Sequence, residues 1–531
     1  MSQTYHIVDY SIAALKSILG EALIVESAFL ESKLHLIYFE EYFDTLNAKT
    51  ILIEEDYVDR DFLEDYAGYY VKCFVKYKRK CRRLHFFNIK FTDDDFQALL
   101  NGCPTTCDQQ ALKESYLGFV VVKPLPQTII GKTCLKTYDY DRERRHYSST
   151  KPIVAHLFGI PLQVNTLPFQ EQDSVVAACA TSAIWSALHG NSYVLQHPIP
   201  SPVEITNKAT SLLPLETRSL PNKGLTAAQM AYAIRSVGLE PFLVDARDHQ
   251  ILKETAYAYL RGGFPLILGL NLIDISGSSG NPAQGFFFGR HAVALTGYSL
   301  QKDHESPTTP AFSNNAILKA GRIDRIYVHD DQVGPFARML FDDISVEYHI
   351  NNTLIQSKSI SCSWTGNDGV IGSVRAVSDM LLIPLYHKIR IPFGAIYDHI
   401  QYLNAFINIL CAENVLELDS NLEWDIYLIT VSQYKEEVLA SSYYGVYRPE
   451  LLTSSLPRFI WKAISYRGNN PVIEILFDAT DIEQASLLVS VVPFDNVFFD
   501  VLIGTFQSLA VDIQKQRSMT ILRWLERLYY H

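Results

Sequence analysis

The sequence predicts a mixed α+β protein built from roughly two to four domains. Its 531 residues exceed the size of one ordinary domain, and a hydrophobic content of 48% with 12% aromatic residues is ample for packed cores. Short apolar runs with strand character alternate with segments of helical period, some of them preceded by a threonine that can cap a helix. These features predict both helices and strands along the whole chain.

Charge and cysteine usage limit the classes of function. The net charge of −12 argues against a dedicated nucleic-acid binder. The sequence contains no run of about 18 apolar residues, so no membrane span is predicted. The first residues lack the basic start and apolar core of a secretory signal. Eight cysteines at no regular spacing are typical of a reducing cytosol rather than of a disulfide framework. The sequence therefore predicts a cytoplasmic protein that binds neither membrane nor nucleic acid.

Residues 1–150 are predicted to form an N-terminal α/β domain. Thr92 begins a helix that runs through Leu100, because its hydroxyl can cap the first turn and three aspartates complement the helix dipole. The basic segment 72–83 is predicted to be a solvated face rather than a phosphate-binding surface. The other elements predicted here are strands at 34–39, 50–54, 83–87 and 117–122 and a helix at 61–77.

Two motifs in this domain suggest ligands but lack the necessary residues. Cys103 and Cys107 have no second Cys or His pair at zinc-ligand spacing to complete a tetrahedral site. The run Ile130-Gly131-Lys132-Thr133 is similar to the end of a phosphate-binding loop, but Pro126 stands where its leading glycine is needed and removes a backbone N–H. The sequence therefore predicts neither a metal nor a cofactor.

The middle region, 151–345, is organised around Cys179. From Cys179 onward, small and apolar residues at helical spacing predict a helix that ends at Gly190. The apolar run 175–178 predicts a buried lead-in, so that Cys179 falls in the first turn, where unpaired N–H groups and the helix dipole favour a thiolate. The alternative is a cysteine that packs as a small hydrophobic side chain. A polar segment at 138–151 predicts the domain boundary before this region.

Two later strands of the middle region carry a histidine and an aspartate. His291 lies near the start of an apolar strand at 290–298, which follows a glycine- and serine-rich segment, 273–290, predicted to be a flexible loop. Asp330 ends the next strand, after a long polar connection. The elements predicted between Cys179 and these strands are helices at 227–236 and 249–260 and strands at 240–244 and 264–270.

Residues 346–531 are predicted to form a C-terminal α/β domain without a catalytic constellation. A partner-binding or regulatory role is the interpretation for this domain, and the basic face of its last helix is predicted to be solvated. Its predicted elements are strands at 381–384, 389–392, 423–431, 457–465 and 471–477 and helices at 393–412, 481–489 and 511–530.

Cys179, His291 and Asp330 are the three residue types that thiol catalysis needs. A cysteine nucleophile needs a nearby base to form the thiolate, and the base needs a third group that sets its tautomer and ring orientation. Adjacent antiparallel strands could set Asp330 beside His291 with the imidazole facing the Cys179 helix, whatever their separation in the sequence.

The residues that carry a resemblance are Cys179 at the start of a helix, Gly289-Arg290-His291-Ala292-Val293-Ala294-Leu295 on a strand, and Tyr327-Val328-His329-Asp330 at the end of the next strand. Over about residues 160–340 the chain resembles the papain-like cysteine peptidases, and more closely their compact bacterial branch, the double-glycine leader peptidases of bacteriocin exporters. The resemblance implies a papain-like core between the two outer domains. It also implies a nucleophile at Cys179, a base at His291 and an orienting acid at Asp330.

One position departs from the family pattern. A glutamine about six residues before the cysteine commonly donates to the oxyanion in this family, but Asp173 holds that place and Gln172 lies one residue earlier. A side-chain amide can donate a hydrogen bond and an ionised carboxylate cannot, so Gln172 is the predicted donor, together with the backbone N–H of Cys179. Asp331 follows Asp330 directly and remains the alternative orienting acid.

The sequence thus predicts a cytoplasmic, papain-like cysteine protease that hydrolyses a peptide or protein amide bond through an acyl-enzyme. Its partners would be a protein or peptide substrate and a regulatory protein that acts through the outer domains, as in a host-directed effector or a defence-type protease. Two alternatives stay open. One is a transglutaminase- or deamidase-type acyl transferase on the same triad, and the other is a catalytically inactive papain-like scaffold.

Overall fold

The computed structural model contains helices and strands in every region of the chain, which confirms the mixed α+β class. The residues that the structure describes are 4–23, 27–103, 107–138, 144–173, 175–211, 220, 224–278, 280–301, 315–362, 373–418, 421–481 and 486–529. Among these residues, no helix has the length and apolar character needed to span a lipid bilayer.

The elements alternate along the sequence. The strands are β1 (Tyr5–Asp9), β2 (Thr50–Tyr57), β3 (Cys81–Phe87), β4 (Tyr116–Val122), β5 (Ile130–Leu135), β6 (Arg145–His146), β7 (Lys151–Leu157), β8 (Ile160–Thr166), β9 (Leu239–Asp245), β10 (Leu266–Asp274), β11 (Ala283–Gln284), β12 (Phe286–Leu300), β13 (Ile317–Leu318), β14 (Ile323–Asp330), β15 (Gly334–Ile350), β16 (Thr353–Ser361), β17 (Val374–Tyr386), β18 (Glu423–Thr430), β19 (Phe459–Arg467), β20 (Asn470–Asp478) and β21 (Leu488–Pro493). The helices are α1 (Ile12–Leu23), α2 (Ser27–Ser32), α3 (Leu34–Thr45), α4 (Arg60–Gly68), α5 (Asp93–Leu100), α6 (Gln109–Ser115), α7 (Cys179–Leu195), α8 (Pro202–Thr210), α9 (Ala227–Ser236), α10 (His249–Leu260), α11 (Phe393–Ala412), α12 (Val431–Ala440), α13 (Arg448–Thr453), α14 (Asn496–Ser508), α15 (Val511–Gln514) and α16 (Thr520–Tyr529).

The chain folds into two compact units, each of which is made of three separate segments of the sequence. The first unit is formed by Met1–His249, Phe264–Tyr298 and Arg325–Leu385, and the second by Gln250–Gly263, Ser299–Asp324 and Tyr386–His531. The division therefore differs from the three consecutive domains of the sequence prediction. The predicted boundary near residue 345 falls inside β15, a continuous strand, and the last segment of the second unit begins only at Tyr386.

The N-terminal part of the first unit is a five-stranded sheet with strand order β1-β2-β3-β4-β5, in which every neighbouring pair is antiparallel. Its two faces bury separate apolar clusters. One cluster includes residues of α1 and α3, and the other includes residues of α4, α5 and α6 and of the β7–β8 hairpin. Alternating side chains of each strand thus serve two cores, as a sheet covered on both faces requires.

Two elements of this part differ from the prediction. The segment predicted as a strand at 34–39 begins α3, because His35, Leu36, Phe39 and Phe43 are buried at helical rather than alternate spacing. The helix predicted at 61–77 is shorter, since α4 ends at Gly68 and the next residue leaves the helical conformation (φ −132°, ψ −58°). In contrast, Thr92 caps the start of α5 as predicted, and the side chain of Asp95 completes a capping box with it.

The remainder of the first unit is built on a closed ring of six strands. The ring order is β10-β12-β14-β15-β16-β17, and β17 pairs again with β10, which closes it. Strand β9 adds to β17, β6 to β12 and β11 to β15. The predicted neighbours that carry His291 and Asp330 are thus adjacent strands, β12 and β14.

The segment predicted as a flexible loop at 273–290 is shorter in the structure. Strand β10 runs on to Asp274 and β12 begins at Phe286, because the two strands pair in antiparallel fashion as far as Asp274 and Phe286. The glycines that suggested a loop lie in the connection and within β12, where Gly289 is paired with Leu272.

Helix α7 does not end at Gly190 as predicted but continues to Leu195. A Cβ added at Gly190 would lie 2.5 Å from Cγ of Pro265 and 3.1 Å from Cδ1 of Leu167, so the glycine allows the close approach of α7 to the start of β10. Gln196 follows as the C-cap residue and adopts the left-handed conformation (φ 56°, ψ 46°), which ends the helix.

The second unit contains a five-stranded sheet of order β13-β18-β19-β20-β21, in which β13 is parallel to β18 and the other pairs are antiparallel. Its buried polar centre is Lys462, whose Nζ lies 2.9 Å from Glu437 and 3.2 Å from Glu474, and tyrosine hydroxyls donate to both carboxylates. This network is satisfied within the unit, as a buried ion pair needs to be.

Three predictions in the second unit need correction. No strand forms at 389–392, where the chain turns into α11. The helix predicted at 481–489 lies partly outside the described residues, and its end, Leu488, begins β21. The single helix predicted at 511–530 is two helices, α15 and α16, separated by a short 3₁₀ turn.

Candidate active site

Cys179 is the first residue of α7, and its thiol is only partly buried. Ala178 occupies the N-cap position in an extended conformation and provides no side-chain cap. The first N–H groups of the helix therefore have no side-chain acceptor from the cap residue, and the positive end of the helix dipole lies at the sulfur.

The loop before the helix is organised by Asp173, the residue at the position where the family has glutamine. One carboxylate oxygen of Asp173 accepts from the N–H groups of Val175 (2.7 Å) and Val176 (3.1 Å), and the other accepts from the hydroxyl of Tyr70. Its own N–H donates to the carbonyl of Ala177 at 2.8 Å. Asp173 thus shapes the turn that leads into Cys179.

His291 lies on β12, opposite Leu270 of β10, and is 5% exposed. Its Nε2 donates to Oδ1 of Asp330, the last residue of β14, at 3.0 Å. The same oxygen of Asp330 accepts the N–H of Gln332 at 3.1 Å, which fixes the carboxylate. Since Nε2 faces the acid, Nδ1 is left for the side-chain hydrogen bond between His291 and Cys179.

The electrostatics of the pair favour a protonated imidazole. Burial disfavours the imidazolium and by itself would lower the pKa of His291. The charge and hydrogen bond of Asp330 favour the imidazolium, and so do the hydrogen bond with Cys179 and the charge of Asp331. The result is that the pKa of His291 is raised well above its usual value of 6.5. The structure therefore brings together a sulfur, a base and an acid in the order that nucleophilic thiol chemistry uses.

The structure distinguishes the two adjacent aspartates. Oδ1 of Asp331 lies 3.7 Å from Nε2 of His291, beyond hydrogen-bond distance, whereas Asp330 makes the bond. Neither carboxylate oxygen of Asp331 has a hydrogen-bond partner among the described residues. Burial, opposed by His291 and reinforced by the charge of Asp330, raises the pKa of Asp331 to about 7.

Two glutamines lie upstream of the cysteine. Gln172, the predicted oxyanion donor, is half-buried. Gln170, which the sequence analysis did not single out, is 5% exposed, and its Nε2 has no hydrogen-bond partner among the described residues. The spacing from Cys179 gave no reason to consider Gln170; only its burial with an unused amide donor identifies it.

Residues distant in sequence support the acid side of the site. His35 on α3 donates from Nε2 to the carbonyl of Asp331 at 3.0 Å, and the buried ion pair of Lys33 and Glu171 lies close by, since the charge of Glu171 acts on both Asp331 and His35. No pattern in the sequence connected α3 with the strand that carries the acids. These contacts became visible only in the folded chain.

His329 faces away from the catalytic pair, as the alternation of a strand predicts. Its Nε2 donates to the carbonyl of Leu167 at 3.0 Å, and its Nδ1 accepts the N–H of Phe336 at 3.1 Å. Burial, only partly opposed by the hydrogen bond to the carbonyl of Leu167, lowers the pKa of His329 to about 3. His329 is therefore a structural residue.

Among the described residues, one group of three His, Cys, Asp or Glu side chains has its ligand atoms close enough to surround a metal ion, namely His291, Asp330 and Asp331. The described neighbourhood of Cys103 and Cys107 supplies no such group, and residues 104–106 between them lie outside the described part of the chain.

A comparison with protein-family models and with curated proteins finds no match to this chain. The arrangement of the side chains is therefore the basis for an assignment of function.

Proposed function

We propose that the protein is a cytoplasmic cysteine peptidase of the papain-like type that hydrolyses a peptide or protein amide bond. The observation that carries the proposal is the hydrogen-bonded series of Cys179, His291 and Asp330, with the sulfur at the start of a helix and partly exposed. The three residues come from α7, β12 and β14, so only a specific fold can bring them together. None of the eight cysteines, each of which lies in the described part of the chain, forms a disulfide, which agrees with a reducing compartment.

The architecture of the first unit supports the same proposal. A helix that carries the nucleophile packs through Gly190 against a closed ring of strands that carries the base and the acid. This is the division of roles that the resemblance to papain-like peptidases implies.

In the proposed reaction, His291 takes the proton of the Cys179 thiol, and the thiolate attacks the carbonyl carbon of the substrate amide. The oxyanion accepts from the N–H of Cys179 and from a glutamine side chain. Gln172 was selected by its spacing, and the unpaired, buried amide of Gln170 makes it a second candidate donor. His291 then protonates the leaving amine, and water attacks the thioester with His291 as base, which releases the acid and restores the thiol.

Asp330 acts through the imidazole in this scheme. Its bond to Nε2 sets the tautomer in which Nδ1 faces the sulfur and stabilises the imidazolium that forms. The second unit, which has no comparable constellation among its described residues, is a candidate for substrate selection or regulation.

The test is alkylation of the pure protein by iodoacetamide near pH 6.5, with the modified cysteines located by mass spectrometry. An ordinary thiol is only about 1% ionised at that pH, so an imidazolium partner can accelerate the reaction of Cys179 by up to about 100-fold. We expect His291→Ala to slow the alkylation of Cys179 by about that factor, and His349→Ala, at an exposed histidine of β15, to leave it unchanged.

Cys103 serves as the internal reference, because it is exposed. Equal alkylation rates of Cys179 in the wild type and in His291→Ala would show that His291 does not act as the base of Cys179, and would refute the proposed peptidase. An acyl transferase on the same triad would instead be recognised by incorporation of an added primary amine into the acyl product.

A further inference from the structure

The acid side of the site holds one more carboxylate than the imidazole can bind. Asp330 and Asp331 both face Nε2 of His291, at 3.0 Å and 3.7 Å, but Nε2 carries a single proton and donates it to Asp330. Asp331 is 3% exposed, and both of its oxygens lack a hydrogen-bond partner among the described residues. The triad alone gives this side chain no role.

The surrounding charges leave Asp331 unbalanced. Lys33 pairs with Glu171, and a protonated His291 donates to Asp330 while it lies 3.7 Å from Asp331. His35 donates to the main-chain carbonyl of Asp331 and not to its carboxylate. A buried carboxylate without a hydrogen-bond partner is unfavourable, because it has lost its hydration and only the charge of His291, which Asp330 shares, compensates it. A further positive charge at this position, either a proton or a metal ion, would balance Asp331.

The geometry fits a metal ion. In a tetrahedral zinc site with bonds of about 2.0–2.2 Å, a ligand nitrogen and a ligand oxygen lie about 3.4 Å apart. The two nitrogen–oxygen distances here, 3.0 Å and 3.7 Å, lie on either side of that value, and the three ligand atoms are all within 4.8 Å of one another. The N–H of Gln332 on Asp330 supplies an outer hydrogen bond of the kind that orients a metal-binding carboxylate.

We propose that His291, Asp330 and Asp331 bind a divalent transition-metal ion of the zinc class, with water at the fourth position. One imidazole nitrogen and two carboxylate oxygens suit zinc better than calcium or magnesium, which prefer oxygen ligands alone. The ion takes the place of the Nε2 proton, which is released to solvent on binding. Cys179 lies on the Nδ1 side of the ring and is not a ligand.

Metal binding has a consequence that rests on the proposed function. With the ion on Nε2, the neutral ring keeps its one proton on Nδ1 and has lost its bond to Asp330. Nδ1 then has no lone pair with which to take the proton of the Cys179 thiol, and it could protonate a leaving amine only by becoming an imidazolate, so the metal-bound form is the inactive form. Removal of the ion by a chelator restores the bond between His291 and Asp330.

The experiment measures metal binding directly, on the full chain. After dialysis against a chelator, Zn²⁺ is titrated by calorimetry into the wild type, Cys179→Ser, Asp331→Asn and the control Asp274→Asn, whose carboxylate is partly exposed on β10. We expect one ion per chain in the wild type, Cys179→Ser and Asp274→Asn, and an affinity at least about tenfold lower in Asp331→Asn. Co²⁺ in place of Zn²⁺ should give visible absorption without a thiolate charge-transfer band.

The proposal is overturned if the wild type binds no stoichiometric ion, in which case a proton balances Asp331. It is also overturned if Asp331→Asn binds as tightly as the wild type, or if Co²⁺ shows thiolate ligation. Should Asp331→Asn fail to fold, His291→Ala, which lacks the imidazole ligand, takes its place, and an affinity equal to that of the wild type would overturn the proposal. Since Cys179→Ser cannot perform thiol chemistry, its binding result is independent of the alkylation test, and the two proposals can fail separately.

Discussion

Replacement of Gly190 by alanine tests how the helix that carries Cys179 is seated. The added Cβ would lie 2.5 Å from Cγ and 3.1 Å from Cδ of Pro265, and 3.1 Å from Cδ1 of Leu167. Carbon atoms in contact prefer about 3.5–4.0 Å, so the helix and the start of β10 must separate by roughly 1 Å. The neighbour that blocks the methyl group is a proline ring, which cannot rotate away.

The expected magnitude is the balance of two opposite effects. Alanine favours a helix interior over glycine by about 0.8–1.0 kcal/mol, whereas overpacking of a tight contact costs about 1–3 kcal/mol. We expect Gly190→Ala to lower the free energy of unfolding by about 1 kcal/mol. The matched control is Gly504→Ala in α14, an exposed helical position with no atom within 4 Å of the new Cβ, where we expect a gain of up to about 1 kcal/mol.

Urea unfolding followed by circular dichroism measures both variants, and the two substitutions lie in different units, so separate transitions can be assigned. Because α7 must shift in Gly190→Ala, alkylation of Cys179 should slow in this variant and not in Gly504→Ala. If Gly190→Ala stabilised the protein as much as Gly504→Ala does, the close approach of α7 to Pro265 would be refuted, and with it the seating of the nucleophile.

Two further predictions concern acid stability and the turn before α7. Burial, only partly opposed by the hydrogen bond to Glu54, lowers the pKa of His85 to about 4. The unfolded chain therefore takes up this proton first, and stability that is complete above about pH 6.5 is lost as the pH falls to about 4, by about 3 kcal/mol. In His85→Gln the free energy of unfolding should fall less steeply over that range, and equal slopes would contradict the burial argument. Asp173→Ala should cost about 1.5–3 kcal/mol in urea unfolding and slow alkylation of Cys179, because the N–H groups of Val175 and Val176 lose a charged acceptor. Asp173→Asn keeps that acceptor and should recover most of both losses, and a loss equal to that of Asp173→Ala would show that the turn does not depend on it.

Elements with strong local signals were predicted to the residue. The helices α9, α10 and α11 have the bounds expected from the sequence, since an apolar helical period and capping residues such as Thr226 depend only on neighbours along the chain. Elements whose local signals are ambiguous were not predicted correctly. The short apolar run at 34–39 satisfied the strand pattern as well as the helical one, and only its packing in the core selected the helix.

The sequence by itself determined the mixed class, the helix that begins at Cys179, and the presence of a histidine and an aspartate on the two strands that proved to be neighbours. These are properties of residue type and local spacing. The tertiary structure decided which aspartate binds His291, the use of Asp173 as a turn residue, the unused amide of Gln170, and the position of α3 behind the acids. Asp173 combines bonds to its near neighbours Val175 and Val176 with one from the distant Tyr70. The others depend on contacts between segments far apart in the chain, where a difference below 1 Å, such as that between 3.0 Å and 3.7 Å at Nε2 of His291, separates a hydrogen bond from a longer electrostatic contact.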